Sequence, residues 1–227
     1  MSRWLPERPW RLWVGRDALT LADATGQTRA TLALDSATPD WAGAFARLAQ
    51  AAALPAGTHV EATVSDDWAR YAMLTVPEGT ARADELRTLA GQRFEALFGL
   101  SPQTWRIEAD WRTRGRIAAC ALPAALVTAL RAPPAQAWRL RSAQPATWRL
   151  LAQHAGGIPR DAWVACAGEG GVCLLRLAAG RVTHVRRHLL AALPEGAALT
   201  ALCDAERLRE GDAAHVPLHL LGDWPGT

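Results

Sequence analysis

The chain has 227 residues, half of them apolar and 21% charged, with a net charge of +3 in which every basic residue is arginine. That is a globular balance over a length that allows one domain or two small ones. The charge is too small, and the arginines too dispersed, for a phosphate-neutralising nucleic-acid surface, while an acidic partner patch or an anionic membrane face stays open. No apolar run approaches the ~18 residues of a membrane span. The opening Met1 to Trp10 lacks an apolar signal core, so a cytoplasmic protein is expected. Cys120, Cys166, Cys173 and Cys203 lie in apolar segments without a CxxC pair and read as reduced core thiols.

Three short β-prone runs come first, Arg11 to Gly15, Ala18 to Ala24 and Thr28 to Leu34, broken by hairpin-like turns at Gly15-Arg16-Asp17 and Ala24-Thr25-Gly26-Gln27. Thr38 then reads as a helix cap, with Pro39 and Asp40 in the first turn. Trp41, Phe45, Leu48 and Ala52 form its buried stripe. Strands follow around Thr58 to Val64 and after Trp68. A helix is predicted over Arg82 to Phe98, its apolar face Leu86, Leu89, Ala90, Phe94, Leu97 and Phe98, closed by Gly99. Trp105, Ile107, Ala109 and Trp111 alternate with charged residues through Arg112, the pattern of a strand with one dry face. Gly115 begins the return strand Ile117 to Leu122, and Pro123 opens a short helix. Trp138 to Arg141 reads as a strand and Pro145 to His154 as a helix.

After the break at Gly156-Gly157-Ile158-Pro159 comes a second strand triplet, Trp163 to Ala167, Val172 to Ala178 and Arg181 to Arg187. A helix around Leu199 to Arg209 and a strand around Val216 to Leu221 complete it. The two triplets share length, turn positions and strand order, and each is followed by helix and strand. Two copies of strand-strand-strand-helix-strand are what an α/β, two-lobed actin-like (ribonuclease H-like) fold requires, with lobes expected over 1–122 and 123–227.

Chemistry is sparse. The absence of lysine excludes every lysine-based mechanism, and neither a Gly-x-Ser-x-Gly elbow nor a Walker motif is present. His184 and His188, and His215 and His219, are His-x₃-His pairs. On strands, however, such residues lie about 13 Å apart along the backbone, and no metal is expected. Ser65-Asp66-Asp67 reads as a turn cap, with a carboxylate cluster as the rival. Trp68, Arg70 and Tyr71 are candidates for partner binding, although Trp68 itself reads more readily as core. Trp4, Trp10 and Trp224, near the ends, are candidates for a docking surface.

Residues 58 to 99 run strand, polar turn, Trp68-Ala69-Arg70-Tyr71, second strand, Pro77, then the amphipathic helix ending Phe94-Glu95-Ala96-Leu97-Phe98-Gly99. With Trp105, the Gly115 return strand, Ser142-Ala143-Gln144-Pro145 and Trp163, this order resembles the actin-like cytoplasmic proteins of bacterial type II secretion (the L protein) and type IV pilus assembly (the M protein). The resemblance implies a non-catalytic scaffold without a cofactor, peripheral at the inner membrane. It would bind the cytoplasmic tail of a bitopic assembly protein and the assembly ATPase, with homodimerisation left open. The partner peptide would lie in a groove between the lobes or along the exposed edge of the first sheet.

An active member needs an aspartate at the end of the first strand of each triplet to hold Mg²⁺. Here Trp13-Val14-Gly15-Arg16 stands in the first, with Asp17 late, and Cys166-Ala167-Gly168-Glu169-Gly170-Gly171 in the second. The hairpins Gly15, Arg16, Asp17 and Gly168, Gly170, Gly171 are nonetheless the places where backbone amides could face a phosphate. A nucleotide-binding ATPase or small kinase, and a degenerate ribonuclease H-like nucleic-acid-binding domain, are the alternatives.

Overall fold

A computed structural model describes residues 8–76, 82–111, 115–211 and 216–224. The chain divides into two compact units, residues 1–68 with 122–146, and residues 69–121 with 147–227. Neither unit is a single consecutive segment, so this division runs differently from a single break at 122–123.

The first unit is a five-stranded sheet. Strands β1 (Trp10–Val14), β2 (Ala18–Ala22) and β3 (Thr28–Ala33) form an antiparallel meander. Strand β4 (Thr58–Val64) runs parallel to β1, and a strand over Trp138–Pro145 runs parallel to β4, giving the order β3-β2-β1-β4 and then this last strand at the edge. The last strand extends four residues beyond the predicted end at Arg141, because its pairing with β4 continues to Val64 opposite Pro145. Pro145 has no N–H to give, and an edge position tolerates that.

Helix α1 (Trp41–Ala51) covers one face of this sheet with Trp41, Ala44, Phe45, Leu48 and Ala49. Its N-cap is Asp40, not the expected Thr38: Asp40 Oδ1 accepts from the Gly43 amide at 3.0 Å, while the Thr38 hydroxyl donates to Asp35. Pro39 and Asp40 thus lie outside the first turn. Phe45 meets Trp138 edge-on at 5.4 Å, and Trp138 donates its indole N–H to the carbonyl of Leu130. Leu130 lies in α3 (Ala124–Arg131), so aromatic packing joins both helices to the edge strand.

In the second unit, β5 (Arg70–Thr75), β6 (Trp105–Ala109) and β7 (Arg116–Pro123) form a three-stranded sheet of order β5-β7-β6. Helix α2 (Ala83–Phe98) packs on it through Ala90 and Phe94, against Ala72, Leu74, Ile117, Ala119 and Ala121. Gly99, at φ +67°, ends the helix as expected. Part of the predicted apolar face is left out: Leu89, Leu97 and Phe98 are 39%, 46% and 39% exposed. The sheet is narrow, and a 16-residue helix carries more apolar surface than three short strands can cover. Arg112 falls outside the described residues.

The edge strand of the first unit is β8, and α4 (Ala146–His154) follows it. A four-stranded sheet then holds β9 (Ala162–Gly168), β10 (Gly171–Ala178), β11 (Arg181–Leu189) and β12 (Leu218–Leu221), in the order β11-β10-β9-β12. The first three are antiparallel and β12 runs parallel to β9. Helix α5 (Gly196–Glu210) lies over this sheet, packing Leu199 and Cys203 against Trp163, Ala165, Val172, Leu174 and Trp224. All four cysteines are buried and none is in a disulfide. No helix among the described residues is long and apolar enough to cross a membrane.

Candidate functional site

In an open sheet, ligands gather outside the carboxyl ends of parallel strands, where backbone amides and loop side chains converge. In the first unit these ends are flush: Val14 pairs with Val64, and Val64 with Pro145. The segments leaving them are Gly15-Arg16-Asp17 and Ser65-Asp66-Asp67-Trp68.

Backbone hydrogen bonds and one indole tie the segments at this end to each other. The Ser65 amide donates to the carbonyl of Val14 at 2.8 Å, and the Trp68 amide to the carbonyl of Ser65. Trp68 Nε1 donates to the carbonyl of Gly15 at 2.8 Å, and its ring meets Trp41 edge-on at 4.9 Å. The Asp67 amide donates to Ser65 Oγ, whose hydroxyl reaches Asp67 Oδ2 at 3.3 Å. Ser65 and Asp66 are buried, at 1% and 5% exposure. Ser65 therefore organises the turn into Trp68, as the cap reading expects.

Across the hairpin, the Gly15 amide donates to Ala18 and the Leu34 amide to the carbonyl of Asp17. The Asp17 side chain is 72% exposed and stands 3.9 Å from Arg16 Nε. The end of β1 thus presents Gly15 with no carboxylate of its own. Asp66 and Asp67 are the acidic residues at the end of β4.

The turn in the second unit is a two-residue hairpin, Gly168 opposite Gly171. Gly171 lies at φ +149°, and a Cβ there would sit 1.9 Å from the carbonyl oxygen of His188. Close approach of β11 therefore accounts for this glycine without any ligand. The carbonyl of Gly170 accepts from the Leu190 amide and that of Glu169 from Arg187.

Of the partner-binding candidates, Tyr71 is buried, while Trp68 and Arg70 are half-buried. Tyr71 is 6% exposed and meets Trp148 edge-on at 5.4 Å. The Arg70 guanidinium lies 5.7 Å over the Trp105 ring and donates to the carbonyl of Ala69. Of the terminal tryptophans, Trp224 is in the α5 core and donates to the carbonyl of Leu221; Trp4 lies outside the described residues.

Among the described residues no group of three His, Cys, Asp or Glu side chains is placed to hold a metal ion. His215 lies outside them. His184 and His188, although four residues apart on β11, both reach one carboxylate, Glu206 of α5. Strand spacing measures the backbone, and two imidazoles leaning toward each other span the difference. Sequence reasoning missed Glu206, a charged residue at a core position of a helix whose apolar pattern breaks there.

No protein-family model matches the chain, and no curated protein sequence matches it. Solved structures do. The cytoplasmic domain of EpsL, an inner membrane component of the type II secretion system of Vibrio cholerae, is similar with a TM-score of 0.55 at 12% identity, over 96% of this chain and 82% of that one. A Bacteroides thetaiotaomicron protein of unknown function with an actin-like ATPase fold gives 0.57 at 11% identity, over 100% and 87%. The PilM–PilN type IV pilus biogenesis complex gives 0.55 at 15% identity, over 82% of this chain and 62% of that one. The chain has an actin-like fold. The expected duplication matches the two sheets, each an antiparallel triplet followed by a strand parallel to its first member.

Proposed function

We propose that this actin-like chain is a non-catalytic scaffold of a type II secretion or type IV pilus apparatus, working on the cytoplasmic side of the inner membrane. In this reading it binds the cytoplasmic tail of a membrane-anchored assembly protein and passes that contact to the assembly ATPase. The observation that carries the reading is the residue makeup at the end of β1. Where an actin-like ATPase requires a metal-binding carboxylate, this chain has Gly15, and the Trp68 indole is bonded to that glycine's carbonyl. Support for the assembly role comes from the neighbours: EpsL is an inner membrane component, and PilM is seen in complex with PilN. A partner tail would add along the open edge β8, where Arg139 and Arg141 are exposed and favour an acidic extended segment.

Thermal unfolding with and without millimolar Mg-ATP tests the non-catalytic part. A ligand at 100 times its dissociation constant adds about 2.7 kcal/mol, a rise of roughly 5–10 °C for a chain of this size. The expected result is no shift; a rise of that size makes the protein a nucleotide binder. Titration with labelled peptides spanning the cytoplasmic tails of the host's pilus and secretion membrane proteins tests the scaffold part. Saturable binding by one of them is expected, and none binding overturns it.

A further inference from the structure

One buried group of charges takes no part in the scaffold reading. Glu206 of α5 is fully buried, and four cationic or titratable side chains converge on it. His184 Nε2 lies 3.2 Å from its Oε2, while His188 Nε2 at 3.4 Å, Arg186 Nε at 3.7 Å and Arg209 Nη1 at 2.5 Å surround its Oε1. His184 Nδ1 is in turn 2.9 Å from Glu210 Oε1, and Glu210 Oε2 is 3.1 Å from Arg116 Nη1 of β7. Arg176 of β10 stands opposite His184 in register, and Cys203 is buried one turn before Glu206. These are titratable and charged groups that face the histidines from β7, β10, β11 and α5 among the described residues.

The balance of this cluster is lopsided. Two carboxylates face three paired guanidinium groups before His188 takes up a proton. The contacts are close but badly directed: Nε2 of both histidines and Oε2 of Glu206 are buried without a well-aligned hydrogen bond. A further positive charge on the buried His188 ring would be desolvated and would add to that excess, and poorly aligned contacts offset little of the cost, although the guanidinium groups themselves are half exposed.

We propose that this cluster is an acid-sensitive clasp, holding the C-terminal half of α5 to β11 at neutral pH and releasing it when His188 is protonated. Burial first, and then Arg186, Arg209 and His184, hold the His188 ring below its ordinary value, against the pull of Glu206. The sign follows. A histidine depressed in the folded state contributes its full stability above the unfolded value of about 6.5 and loses it as pH falls through the lower, folded value. Glu210 does not share that window. Burial pushes its carboxyl up, but Arg116 and His184 outweigh burial and leave it below its ordinary value, so it acts only in stronger acid.

Hydrogen exchange on the full chain tests the clasp, with rates corrected for the intrinsic effect of pH. Between pH 7.5 and 5.5, protection of amides 200–211 should fall severalfold, up to the limit of about tenfold that one histidine can give, while that of 41–51 in α1 holds. His188→Gln, which cannot take up the proton, should keep α5 protected at pH 5.5. Equal protection at both pH values, an equal fall in α1, or an unchanged response in H188Q would each overturn the proposal. If the variant does not fold, the ring of His188 is titrated directly by NMR in the wild-type chain. A midpoint clearly below 6.5 supports the clasp, and one at or above it ends the idea.

Discussion

The two sheets repeat one another in strand order, β3-β2-β1-β4 against β11-β10-β9-β12, yet their helices are held by different physics. Helix α1 meets its sheet with an unbroken apolar stripe, Trp41, Ala44, Phe45, Leu48 and Ala49. Helix α5 is apolar only in its first half, at Leu199 and Cys203, and then turns a buried glutamate toward the sheet. A hydrophobic contact is almost blind to pH, whereas a buried ion network changes in stability with each charge it gains or loses. One architecture can therefore carry a robust helix and a conditional one.

That contrast breaks most visibly in α1. Phe45 is fully buried between Trp41 and Trp138, so Phe45→Ala should cost about 3–5 kcal/mol. Urea unfolding reads this directly, and the loss should be the same at pH 7.5 and 5.5. A loss below about 1 kcal/mol would mean that α1 is not the anchor of its sheet. Glu206→Ala should come next. Breaking a buried pair costs about 3–5 kcal/mol, but Arg186 and Arg209 are half exposed and can rehydrate, so the lower end is expected. Glu206→Ala also removes the one group that pulls the His188 value up, so the acid response of α5 should steepen, whereas Phe45→Ala leaves it in place.

The repeat was legible in the sequence because it is written in turns and alternation, which act locally: Gly15-Arg16-Asp17 and Gly168 to Gly171 interrupt β-prone runs wherever they occur. The missing carboxylate after Val14 was equally plain. What the sequence hid depends on groups distant in the chain. Leu89 and Leu97 fit a helical stripe, but only the width of the sheet beneath decides whether a stripe is covered. Arg70 and Tyr71 were candidates for recognition, and Trp68 read more readily as core; in the fold the Trp68 and Tyr71 rings meet Trp41 and Trp148, and the Arg70 guanidinium lies over Trp105. His184 and His188 were judged by backbone spacing, and the carboxylate that unites them lies 18 or more residues further on. In each case a local rule was sound and a tertiary partner decided the outcome.

The smaller effects sharpen the comparison at the ends of elements. Asp40→Ala removes the acceptor for the Gly43 amide and should cost about 1 kcal/mol. Thr38→Ala should cost less, because Thr38 bonds to Asp35 and does not cap the helix; a larger loss at Thr38 would restore it as the cap.

The last prediction concerns Asp23, at the turn between β2 and β3. Its carboxylate accepts from the Thr25 hydroxyl and amide, the Gln27 amide and Arg29. The hydroxyl of Thr25 above all, helped by those amides and Arg29, holds its pKa at about 2, below the ordinary 3.8. A depressed carboxylate contributes stability that is complete above its unfolded value and is lost as pH falls through the folded one. Asp23 should thus weaken the first unit only between about pH 4 and pH 2, well below the histidine window of α5. Asp23→Asn should flatten the acid limb of unfolding in that range and leave the response of α5 between pH 7.5 and 5.5 untouched. Were the variant to change both, the two units would share one electrostatic transition, and the contrast between a robust helix and a conditional one would fail.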